Sequence, residues 1–246
     1  MVSRARVRLQ STRLQNLARS AANVVKRIER MDFPDMVEAV KDISEAYSTM
    51  SAAITADYYN DIRKASKPKR RYTATAISGF DAEAAISAAQ AIVNEYVAGN
   101  ATVPLTQLMG DLVGRYINDA AEYCIVSNAK RDPAKPRYAI VPNGDACAFC
   151  VMRASNGYTY PDKVQGIKSH SHCTCQATPV FGSDRVEGYD VDSYRSQWEE
   201  ADRAYRTGDI SDELKARIDA QKAAKGRDFD TTNAVLMVMR EQQGIS

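Results

Sequence analysis

Four of the chain's five cysteines and both of its histidines fall between residues 138 and 181, YAIVPNGDACAFCVMRASNGYTYPDKVQGIKSHSHCTCQATPVF. Cys147 and Cys150 form a C-x2-C pair, and His170, His172, Cys173 and Cys175 follow about twenty residues later in the run HSHCTC. Ligands at this density require two short segments to converge on one point, and the ion that suits such a set is a single tetrahedral zinc. A C-x2-C pair at a turn entering a helix aims both sulfurs the same way. Within a strand, residues 173 and 175 share a side, so Cys173 and Cys175 can face one ion while His172 points to the opposite face. The ligand set read from spacing is Cys147, Cys150, His170 and one or both of Cys173 and Cys175, with His172 in reserve. One structural Zn2+ is the expected cofactor. A segment of about 45 residues has too little core to hold itself, and metal supplies what burial lacks. The expected effect of the ion is local, on this module rather than on the whole chain.

Two other chemistries use the same residues. A cysteine activated by His170 or His172 would be a nucleophile, but it needs a thiol spared from metal and a cleft for substrate. A redox C-x2-C needs a βαβ context that the surrounding pattern does not show.

The flanks read as helices. Apolar residues make up 44% of the chain, many of them alanine, with few glycines and prolines, which favours a mainly α fold around a small α+β module. Leu14, Leu17, Ala21, Val24 and Ile28 recur at three-to-four spacing, as do Met36, Val40, Ile43, Tyr47, Met50, Ile54, Tyr58 and Ile62. Residues 1–66 are therefore expected to form a long helical hairpin, with Tyr58 and Tyr59 as a core-and-rim pair rather than a platform for stacking bases. Residues 64–79 hold Pro68 and the basic run Lys67, Lys69, Arg70 and Arg71, and read as a linker. A second helical pair is expected over 80–131, with Asp81 as a cap and Cys124 as a small buried hydrophobe. At 137–182 the period changes: strands at 137–141, 158–160 and 173–181 surround a short helix that begins inside the C-x2-C pair. Residues 190–246 read as short helices whose apolar faces suit a partner.

Net charge is only +2, yet residues 1–30 carry eight Lys and Arg against one acid, Glu29. A solvated basic face on a packed helix accounts for that, and an arm that tracks DNA is the sharper alternative. No apolar run is long enough to span a membrane. Five cysteines, four of them clustered with histidines, fit a reducing compartment with a metal site better than a disulfide framework.

Tyr138 to Val141, Cys147, Cys150, Ala154, Ser155, Gly157, Tyr160, His170, His172, Cys173, Cys175 and Pro179 to Phe181 together resemble the minor head proteins of tailed bacteriophages. These are the Mu F-like or SPP1-type head morphogenesis proteins, and the pattern is most similar to the actinobacteriophage minor capsid proteins often labelled capsid maturation protease. Residues 46–63 resemble the long helix that precedes the module in that family, and the last 60 or so residues lie outside the resemblance. Arg137-Tyr138 stands where the family often has a tryptophan. The resemblance implies ligands at Cys147, Cys150, His170, Cys173 and Cys175, and a virion protein with a few copies per particle, present in the host cytoplasm during assembly. It also implies incorporation near the portal, with portal, major capsid or scaffold protein as partners and packaged DNA as a contact of the basic helix. Two alternatives stand beside this reading: a capsid-processing protease with Cys/His chemistry, and a zinc-containing nucleic-acid-binding protein whose affinity falls steeply with salt. The protease reading lacks a general base if the histidines belong to the metal cluster.

Overall fold

Side-chain caps start two of the four helices in the N-terminal half, one of them at Asp81 as the sequence suggests. The structure, a computed structural model, describes residues 1–144, 146–161 and 172–244. Helix α1 (Arg4–Val25) ends in a 3-10 turn at Lys26–Ile28. Asp32 caps α2 (Phe33–Ser66), its carboxylate accepting the Asp35 N–H at 3.0 Å, with Pro34 in the first turn where a missing N–H costs nothing. Asp81 caps α3 (Ala82–Val97) through the Ala84 N–H, and α4 (Leu105–Arg131) follows Pro104. Helix α4 packs against both α1 and α2, and α3 lies across α2 and α4.

The stripe on α1 is only partly as read. Leu14, Ala21 and Ile28 are buried, but Val25 takes the core position rather than Val24. On α2 the difference is larger. Met50 is 50% exposed, while Ser44, Ser48, Ser51, Ala52 and Thr55 are buried. The middle of α2 turns its small residues inward, which brings its backbone close to α4. The hydroxyls bond across that contact: Ser51 Oγ donates to the Ile117 carbonyl at 2.6 Å, and Gln10 of α1 donates to Thr55 Oγ1 at 3.0 Å. Tyr58 and Tyr59 are both in the core, so neither is a rim residue and neither offers a face to a base. The Cys124 thiol is fully buried and donates to the Ala52 carbonyl, and burial pushes its pKa up.

Strand β1 (Arg137–Val141) pairs antiparallel with β2 (Gln176–Val180), Arg137 opposite Val180 and Val141 opposite Gln176. Helix α5 (Ala148–Ser155) lies between them in sequence. The strand expected at 158–160 is a single bridge, in which Thr159 exchanges both backbone hydrogen bonds with Tyr138. The strand expected from Cys173 begins only at Gln176. Gly157 makes the turn after α5 at φ +65°, and a Cβ there would stand 3.0 Å from Val191 Cγ1.

The sheet has no core of its own. Tyr138 to Val141, Val180 and Phe181 share one apolar cluster with Tyr58, Tyr59 and Ile62 of α2 and Cys124, Ile125 and Ala129 of α4. Metal bound near this sheet therefore bears on the bundle as well as on a local module. At the junction Asp132, fully shielded from water, accepts Arg63 Nε at 2.8 Å, Tyr59 OH at 3.1 Å and the Ala134 N–H at 2.8 Å.

Helices α6 (Val191–Thr207), α7 (Asp212–Lys225) and α8 (Thr231–Gln242) do not wait for a partner to cover them. Ala201, Ala204, Leu214, Ile218 and the six successive residues Ala234 to Met239 are buried with Ala148 and Val151 of α5. Six successive buried residues cover every face of a helix, so α8 is enclosed by the rest of this layer.

Breaking the buried pair by Asp132→Ala leaves the Arg63 guanidinium without its carboxylate. The expected loss is about 3–5 kcal/mol in urea unfolding, and a loss below about 1 kcal/mol would show that water reaches Arg63 in the native state.

Candidate metal centre

Helix α5 starts at the C-x2-C pair: Cys147 is its N-cap and Cys150 its third residue, so both belong to the first turn of the helix. Cys150 is buried, and its Sγ lies 3.4 Å from that of Cys173. The sulfurs of Cys150, Cys173 and Cys175 all lie within 4.8 Å of one another. Four ligands at a Zn–S distance of about 2.3 Å would hold neighbouring sulfurs about 3.8 Å apart, so the spacing suits a tetrahedral ion. None of these cysteines is joined in a disulfide.

Cys147 joins the same group through Cys150. Contact with Cys147, then with Cys173 and Cys175, and finally burial push the Cys150 thiol far above its ordinary range. Sulfurs crowded in this way either keep their protons or share a cation. The described donors are all sulfur, a soft set that fits zinc.

Backbone contacts hold the second cysteine segment. Residues 173–175 precede β2 and take no part in its ladder. His172 lies on the surface while Cys173 and Cys175 enter the cluster, although no strand spans them. The Thr174 carbonyl accepts Ser11 Oγ of α1 at 3.0 Å, Thr174 Oγ1 donates to the Asn143 carbonyl at 2.7 Å, and the Asn143 backbone also bonds the Cys175 side chain. His172 turns outward: its side chain is 78% exposed, and Nε2 lies 3.2 Å from Asp111 Oδ1 on α4. His170 lies outside the described residues.

Next to the sulfurs is a buried ion pair that pattern reading missed. Arg153 of α5 donates to Glu122 of α4, and burial raises the Glu122 pKa while the guanidinium opposes that shift. Glu122, Arg153, Cys173 and Cys175 line one small cavity. Around Glu122 every residue from Ala120 to Val126 except Tyr123 is buried, so α4 has no single apolar stripe there to mark an acid as out of place. The spacing of Asp111, Asn143 and Ser11 carried no signal either.

A family model described as VG15 protein matches residues 1–201. The chain belongs to that family, and it is a phage protein. The match takes in the bundle, the sheet and every cysteine, and it ends within α6. No curated protein and no solved structure matches the chain. No described helix is long and apolar enough to cross a membrane.

Removal of metal tests the site. After complete chelation, or in Cys150→Ser, limited proteolysis should cut first within residues 142–176, with the α2–α4 contact surviving longer. Unchanged resistance of that segment in fully stripped protein would sink the assignment.

Proposed function

We propose that this phage protein is a minor head component, a structural part of the virion incorporated near the portal, whose cysteine module is closed by one structural zinc. The observation that carries the reading is the sulfur cluster in a chain of a phage family: three cysteine sulfurs converge and Cys147 contacts one of them, in a module packed into the protein's own core. In this reading Cys147, Cys150, Cys173 and Cys175 hold the ion. His170, which the resemblance includes, is the competing fourth ligand, and His172 stays on the surface. A four-thiolate site leaves no open position for water, as a structural site requires. The ion would fix the start of α5 and residues 173–175 relative to one another. Portal, major capsid or scaffold protein are the proposed contacts, in the virion and, during assembly, in the host cytoplasm. The exposed cations of α1 are available to packaged DNA.

One observation favours a second reading, the capsid-processing protease. A cavity of about 650 Å³ between α1 and α4 is lined in part by Asp111, His172 and Cys173, which supplies the cleft a nucleophile would need. Against it, the Cys173 sulfur lies 3.4 Å from Cys150, inside the cluster.

Two measurements separate the readings. Cobalt(II) in place of zinc should give the strong thiolate-to-metal absorption of a tetrahedral four-sulfur site, and it should weaken in Cys147→Ser while His170→Ala leaves it unchanged. Purified particles should contain the protein by mass spectrometry, and His172→Ala should leave capsid-protein cleavage unaltered on co-expression. Absence from intact particles would end the head-protein reading, and loss of cleavage in folded His172→Ala would establish the protease.

A further inference from the structure

The cleft between α1 and α4 has features that neither the metal nor the sheet explains. It runs along α1 from Leu14 to Lys26 and along α4 from Pro104 to Asn118, and it ends at His172 and Thr174 beside the cysteine segment. Twelve to fourteen residues of helix make it about 20 Å long. Its floor is formed of small residues: a Cβ on Gly110 would stand 3.6 Å from Ala22 Cβ, and Ala18 lies one turn before Ala22. The α4 wall presents Thr106 and Gln107, both neutral.

The α1 wall is different. Arg19 and Lys26 both line the cleft and are exposed, seven residues apart on one flank, which puts them about 10 Å apart along the axis. Among the described residues Arg19 bonds the Asn16 side chain, and neither Arg19 nor Lys26 takes part in an ion pair. Among the described residues the one carboxylate lining the cleft is Asp111 of α4, which lies 3.2 Å from His172 Nε2. The result is a concave trough with an apolar floor, an α4 wall whose carboxylate faces His172, and an α1 wall carrying two cations outside any ion pair.

We propose that this cleft docks an amphipathic helix of a partner protein, with small apolar residues against the floor and two acidic side chains seven residues apart facing Arg19 and Lys26. The length matches about four helical turns, and a helix laid in a groove between two others uses its ridge of side chains in this way. A duplex fits less well, since two cations would neutralise few phosphates and its charged backbone would gain nothing from an apolar floor between two touching helices. The inference stands apart from the virion reading, because it concerns what binds and not where the protein resides.

The probe is a fluorescent alanine–leucine helix of about 15 residues with two glutamates seven apart, read by anisotropy against the full-length, zinc-loaded protein. Its lysine counterpart and a short DNA duplex serve as comparisons. The glutamate helix should bind. Arg19→Gln with Lys26→Gln should weaken it about tenfold, and Arg19→Glu with Lys26→Glu should shift preference to the lysine helix. Arg6→Gln with Arg13→Gln, exposed residues of α1 that do not line the cleft, should leave binding unchanged. These side chains are exposed, so the fold should survive, as circular dichroism would show. The proposal is overturned if the glutamate helix does not bind, if the two helices bind alike, or if both pairs of glutamine variants weaken it equally. It is also overturned if the duplex displaces the peptide and loses its own binding in the Arg19 and Lys26 variants, which would make nucleic acid the occupant.

Discussion

A single carboxylate with no access to water sets the relation between the helices and the sheet. Asp132 stands just after α4 and receives Arg63 and Tyr59 from α2 and the N–H of Ala134 in its own turn. The same guanidinium also bonds the carbonyl of Arg70 and lies 5.8 Å from the ring centre of Tyr72 and 6.0 Å from that of Phe181. One buried charge pair thus joins the end of α2, the linker after it, the turn into β1 and the exit from β2. Such a pair adds little net stability over an apolar substitute, but it punishes every arrangement in which one partner is buried alone. Its effect here is specificity: β1 and β2 enter and leave at defined points on the bundle, and the cysteine segments are carried by those strands.

That geometry changes what a metal would do. An independent module of this size would be held by its ion alone, as small zinc domains are. Here Tyr58 of α2 reaches Thr178 of β2 at 3.0 Å, Ser11 of α1 reaches the Thr174 carbonyl, and Arg153 of α5 reaches Glu122 of α4. The frame around the sulfurs is built by the bundle, and the ion would lock the two cysteine-bearing segments that the bundle has already brought together. Preorganisation of this kind raises metal affinity because less chain must be ordered on binding.

How much of this was legible depended on whether the signal was local. Asp81, Ser211 and Asp230 start helices for reasons contained within a few residues, each accepting a backbone N–H two or three residues on. The C-x2-C pair at the start of α5 is local too, and His172 stands apart from Cys173 and Cys175 although the strand from which that separation was argued begins only at Gln176. What failed was long-range. On α2 the bulky stripe holds at both ends, where Met36, Val40, Tyr58 and Ile62 are buried, but in the middle Met50 is exposed and a serine-rich face turns inward, because close approach to α4 favours small side chains that can bond its carbonyls. Glu122 gave no warning because its partner Arg153 is 31 residues away and α4 is covered on nearly every side. The terminal helices looked partner-seeking because the apolar face of α5 that covers them could not be separated from the metal motif.

Helix α5 is therefore where two cores meet. Its N-terminus carries Cys147 and Cys150, its Arg153 is tied to α4, and its Ala148 and Val151 lie against the layer that encloses α8. Eight residues with three such commitments cannot shift in one direction without loss in another. A displacement that relaxed the crowded sulfurs would pull Arg153 from Glu122 and leave a buried carboxylate uncompensated, a cost of several kcal/mol. It would also open the cover over Ala234 to Met239. The family match ends within α6, so α7 and α8 rest on a helix whose position is determined inside the matched region. Through α5, the state of four sulfurs bears on the layer of helices that Ala148 and Val151 help to cover.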